Sequence, residues 1–132
     1  MPTTGAMTDY CENEVLDHTL GTSAMSAPSA VYLALFPTDP GDDMTGSTEL
    51  SAGGYSRQQV TFNAASNGAA SNSADVTFGP ATEDWGSIGG WALYDAATGG
   101  NALYHGAFET AKTVGVDDEL VVKAGELQIS LD

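Results

Sequence analysis

The sequence predicts an all-β fold: an antiparallel β-sandwich of about seven to eight short strands with one short N-terminal helix. Three observations predict it. Short apolar or alternating runs recur along the chain, among them Val31-Tyr32-Leu33-Ala34-Leu35-Phe36 and Leu127-Gln128-Ile129-Ser130-Leu131. Turn-forming clusters separate them, and 16 glycines in 132 residues favour short strands over long helices. Helical periodicity is confined to one stretch near the N-terminus. With 42% apolar residues the chain has material for a core, and its length suits one domain better than two.

The expected organisation is a flexible arm over residues 1–7, a helix over 8–21 and the sandwich over 22–132. Thr8 is placed to cap the helix, and Asp9 and Glu12 lie in the first turn, where the helix dipole favours acids. Cys11, Val15, Leu16, Thr19 and Leu20 fall on one stripe, and Gly21 sits where a C′ glycine belongs. So short a helix is marginal alone, so it must dock on its own domain or on a neighbour. Residues 22–30 read as an extended linker. Val31–Phe36 reads as a strand buried on both faces, stopped by Pro37 and Pro40.

A long polar loop follows over 38–54, a length that marks functional or mobile segments. Residues 55–62 form the next strand, with Val60 and Phe62 on one face and Arg57, Gln59 and Thr61 on the other. Ala74–Phe78 is another. Val60-Thr61-Phe62 and Val76-Thr77-Phe78 are the same word, read here as neighbouring strands meeting the same packing need. Thr98-Gly99-Gly100-Asn101 joins Ala92-Leu93-Tyr94 to Ala102-Leu103-Tyr104 and signals a hairpin whose register stays open by one residue. Leu120–Val122 and Leu127–Leu131 complete the set, with Leu127, Ile129 and Leu131 facing inward.

Charge narrows the function. Eighteen carboxylates against three Lys/Arg give a formal charge of −15. A phosphate backbone and an anionic membrane surface would both be repelled, so neither nucleic acid nor membrane is an expected partner. The charge suits either salty water or a cation-rich partner. Cys11 is alone, so no intrachain disulfide can form. No stretch approaches the roughly 20 apolar residues of a membrane span. Met1-Pro2-Thr3-Thr4-Gly5 has neither a basic n-region nor an apolar h-region, so no signal peptide and synthesis in a cytoplasm are expected.

Groups that could carry chemistry do not converge. His18 and His105 stand apart and belong to no ligand motif, so each is read as structural or surface. No serine sits in a nucleophile elbow, and there is no phosphate loop or dinucleotide fingerprint. Glu83 and Asp84 are adjacent, so on a strand they point apart and make a poor glycosidase pair. The loop acids Asp39, Asp42 and Asp43, and Asp117, Asp118 and Glu119, read as solvated turn residues, with a weak cation site joining subunits as the alternative. No catalytic residue, metal or cofactor is expected. Arg57, the only arginine, sits in Gly53-Gly54-Tyr55-Ser56-Arg57-Gln58, and its planar fork suits a carboxylate. That carboxylate lies either in this chain or in a neighbour. Tyr10, Leu16, Leu20, Tyr55 and Arg57 are the candidate interaction residues.

The order of words carries a resemblance. Thr8-Asp9-Tyr10, Glu12-Asn13, Leu16-Asp17-His18 and Leu20-Gly21 open it. Val31–Phe36 with Asp39-Pro40, then Gly53–Gln58, Asp84-Trp85-Gly86, Tyr94-Asp95, Thr98–Asn101 and Gly106-Ala107 continue it. From Thr8 to Asp132 the chain resembles a family of small tailed-phage virion proteins often labelled tail fibre proteins. The resemblance implies a non-enzymatic virion structural protein, made in the host cytoplasm, whose partners are major capsid or tail proteins.

A long fibre needs repeats or a coiled-coil stalk, and the chain has neither. The expectation is therefore a multi-copy capsid decoration (cement) protein on the particle exterior, assembled as a homotrimer. The alternative is a tail or tail-fibre module that binds a host receptor or glycan, with Trp85, Trp91, Tyr94 and Tyr104 as a stacking platform. A hydrolase acting on a host surface polymer is the third and weakest reading.

Overall fold

The computed structural model describes residues 3–131. Strand β1 (Thr3–Met7) leads into helix α1 (Asp9–Thr19). Eight further strands follow: β2 (Val31–Phe36), β3 (Gln58–Val60), β4 (Ala69–Ser71), β5 (Val76–Phe78), β6 (Gly86–Tyr94), β7 (Ala102–Val114), β8 (Leu120–Val122) and β9 (Gln128–Ser130). The fold is all-β, as expected. One five-stranded antiparallel sheet has the order β1-β7-β6-β2-β3, and β4-β9 and β5-β8 form two-stranded sheets.

The core lies between these layers. Leu33 and Leu35 of β2, Trp91 and Leu93 of β6 and Phe108 of β7 pack with Val76, Phe78, Leu120, Val122 and Leu127. Complete burial of a side chain such as Leu33, Leu35 or Phe78 contributes about 2 kcal/mol each. A smaller cluster, Ala34, Phe36 and Ala92, occupies the other face of the large sheet, with Met44 and Tyr94 against it. Met44 belongs to the long polar loop, so that loop covers the second face. This is why Leu33 through Phe36 are all buried, as the continuous apolar run predicts.

Two expectations change. The arm expected over residues 1–7 is, from Thr3 onward, an edge strand paired with β7 from Thr3↔Phe108 to Met7↔Tyr104; its first two residues lie outside the described ones. Thr3-Thr4-Gly5-Ala6 has no apolar period to betray a strand. Its place depends on Gly5: a Cβ there would lie 2.6 Å from Cζ2 of Trp91 and 2.8 Å from the His105 carbonyl oxygen. The polar stretch after Asn63 carries no strand pattern, yet β4 forms within it and pairs Ala69↔Ser130 and Ser71↔Gln128.

The helix follows its expected capping. Thr8 accepts a hydrogen bond from the Cys11 N–H at 3.1 Å, and Leu20 N–H donates to the Leu16 carbonyl. Gly21 has φ +84, the left-handed conformation a C′ residue adopts. The hairpin pairs as expected, and its register explains the ambiguity. Leu93 faces Tyr104 while Tyr94 faces Ala102, with an irregularity between them. Strand β7 also runs far past its repeated word. Its partner shifts from Ala107 at Gly90 to Lys112 at Ile88, so β7 bulges between.

Candidate functional site

Arg57 stands just before β3, and its partner lies within the chain. Its Nε and Nη2 donate to Oε2 and Oε1 of Glu49 at 2.9 and 2.8 Å. Nη1 donates to the Ala96 and Gly99 carbonyls at 3.0 and 2.8 Å. The guanidinium carbon stands 3.6 Å over the centre of the Tyr94 ring. Arg57 thus ties the long loop, through Glu49, to the β6–β7 hairpin. Only 8% of its side chain is exposed.

Tyr55 completes this clamp. Its hydroxyl donates to Glu49 Oε2 at 2.6 Å and accepts the Leu35 N–H at 3.1 Å. Its ring stacks on Phe78 and meets Trp85 edge-on. Burial alone would raise the Glu49 pKa, but the bonds from Arg57 and Tyr55 outweigh it and hold the carboxyl below its ordinary value. Burial also pulls Arg57 down, and Glu49 reverses that into a raised pKa. Tyr55 is pushed up, first by burial and then by its bond to Glu49.

A second clamp secures the start of the same loop. His105, buried on β7, has Nδ1 2.6 Å from Asp39 Oδ1 and Nε2 2.6 Å from Asp42 Oδ1. Burial pulls its pKa down, but the two carboxylates outweigh that and raise it. The acids sit on opposite ring nitrogens, so they do not converge on a common point. The Asp42 carbonyl also accepts the Asp9 N–H at 2.9 Å, which fixes the loop to the start of α1. His105 is therefore structural, as one reading of the sequence had it. Asp39 and Asp42 are its partners and more than solvated turn acids. Asp43 instead accepts from Thr45. No local spacing could announce these pairs, because Asp39 lies 66 residues from His105.

The remaining expectations separate cleanly. Tyr55 and Arg57 use their polar groups inside the chain. Tyr10, Leu16 and Leu20 face outward, with 39, 54 and 74% of each exposed. Among the expected stripe residues only Cys11 is buried, and Val15 is half-buried. The helix docks by its first turn, where Thr8 Oγ1 donates to the Ala102 carbonyl at 2.7 Å. The proposed stacking rings do not form an exposed platform. Trp85 and Trp91 are buried, Trp85 Nε1 donates to the Gly53 carbonyl, and Tyr94 lies under Arg57. Glu83 accepts the N–H of Gly53, in the long loop, and Asp84 accepts the Gly86 N–H of its own turn, so the two carboxylates serve separate backbone sites.

A family model described as Gp80, Podophage GP4 fiber I protein gp80, matches residues 6–130. No curated protein matches the chain. The matched span includes α1, both clamps and every strand from β2 to β9.

Proposed function

The chain belongs to the Podophage GP4 fiber I protein family, and from that premise we propose that it is a non-enzymatic module of the phage fibre apparatus. It is a virion structural protein; its place at the fibre is the reading that the family favours over capsid decoration. The observation that carries the proposal is the match over residues 6–130, which spans α1 and every strand from β2 to β9 and is not a shared fragment. The burial of Trp85 and Trp91 supports a structural role over glycan stacking.

In this reading the module attaches to neighbouring virion proteins through the outward face of α1. Leu16 and Leu20 leave more than half of their area uncovered there, and Tyr10 adds a smaller part. The assembly proposed is a homotrimer, which light scattering of the purified protein tests.

Antibody labelling of intact particles tests the location. Label at the tail fibres supports the proposal. Label spread over the head surface overturns it in favour of capsid decoration.

A further inference from the structure

Two adjoining clefts open beside α1. The first, of about 320 Å³, is lined almost wholly by apolar groups, including Val15, Met25, Phe62, Leu93, Leu103 and Ile129. The second, of about 360 Å³, shares Met25, Pro28 and Leu103 with it and adds Tyr10, Glu14 and Asp95. Glu14 and Asp95 line this second cleft together with Tyr10. An apolar slot thus continues into an acidic one. Met25 and Pro28 form their common wall, on a segment held where the Met25 N–H donates to His18 Nδ1 and the Ser23 N–H to the Asp17 carbonyl.

We propose that these joined clefts bind a peptide segment of another protein in which an aliphatic or aromatic anchor is flanked by Lys or Arg. The anchor fills the apolar slot between α1 and the sheet, and the cation pairs with Glu14 and Asp95. Charge complementarity selects this occupant. A second copy of the chain is a poor one. It brings 18 carboxylates and 3 Lys/Arg, and Arg57 is already locked on Glu49. A basic segment meets an attractive field over the whole face. The proposal rests on the fibre reading only for where the partner resides, so failed binding and failed tail labelling are separate results.

The test uses the full chain and fluorescein-labelled peptides with a central Phe flanked by Lys, against the same peptides with Glu in place of Lys. Anisotropy is followed with salt, and with the variants Glu14→Lys and Met25→Glu, each checked for an unchanged melting curve. The Lys-flanked peptide should bind saturably and weaken with salt, and the Glu-flanked one should not bind. Glu14→Lys should weaken binding about tenfold, and Met25→Glu at least as much. Salt dependence of the unaltered chain keeps the test open if a variant fails to fold. Four outcomes overturn the proposal. These are no saturable binding of the Lys-flanked peptide, equal binding of both peptides, binding unaffected by either variant, and self-association of the chain that Met25→Glu abolishes.

Discussion

The Arg57 clamp and the outer face of α1 use their residues in opposite ways. Arg57 is the only arginine of an acidic chain, and four hydrogen bonds and the Tyr94 ring tie it to its own chain. Leu16 and Leu20 are ordinary residues at helical spacing, yet more than half of each is exposed. A charge that loses its hydration needs several fixed partners, and the loop and hairpin provide them. An exposed leucine needs none to keep the fold. The conspicuous residue therefore holds the module together, and the plain ones are free to meet something else.

The largest effect should come from breaking the clamp. Arg57→Ala leaves Glu49 half-buried without its cation and should destabilise the fold by about 3 kcal/mol, read by urea denaturation. Arg57→Lys should recover only part of this, because an ammonium cannot form the paired bonds of the fork. Equal stability of Arg57→Ala and the unaltered chain would erase the contrast between the two regions.

Next comes the edge strand. Gly5→Val puts a side chain against Trp91 and the β7 backbone and should cost about 2 kcal/mol, with faster amide exchange along β1. A smaller effect sharpens the loop's part in the comparison. The folded pKa of His105 stands above the ordinary 6.5. Its clamp is fully charged below that value and loses its proton as pH rises through the raised folded pKa. Its contribution of about 1 kcal/mol, discounted for the part-exposed Asp39 and Asp42, should therefore fade on the alkaline side. His105→Gln should flatten this decline in a series of melting curves against pH. The smallest effect belongs to α1: Leu16→Ser and Leu20→Ser together should change stability by no more than about 0.5 kcal/mol.

The large elements were legible because local pattern decides them. Val31–Phe36 announced a strand buried on both faces, and Thr8 and Gly21 announced the helix ends. The Gly99-Gly100 turn announced the hairpin. Strand β1 was not legible, since its small residues gain order only from the β7 edge and from the room Gly5 leaves for Trp91. Neither clamp was legible beyond the oddity of Arg57 and the closeness of Asp39 to Asp42. Glu49 gave no signal among eighteen acids, and His105 meets its partners only through the fold. The helical stripe misled because docking at Thr8 and Cys11 turns Leu16 and Leu20 away from the sheet.

The central claim is that α1 presents its outer face to a neighbour while the clamps hold the module. The most direct test is incorporation of the Leu16→Ser, Leu20→Ser double variant into phage particles, quantified against the unaltered protein. The account predicts a folded variant with an unchanged melting curve that is largely missing from purified particles. Incorporation at the unaltered level would contradict it.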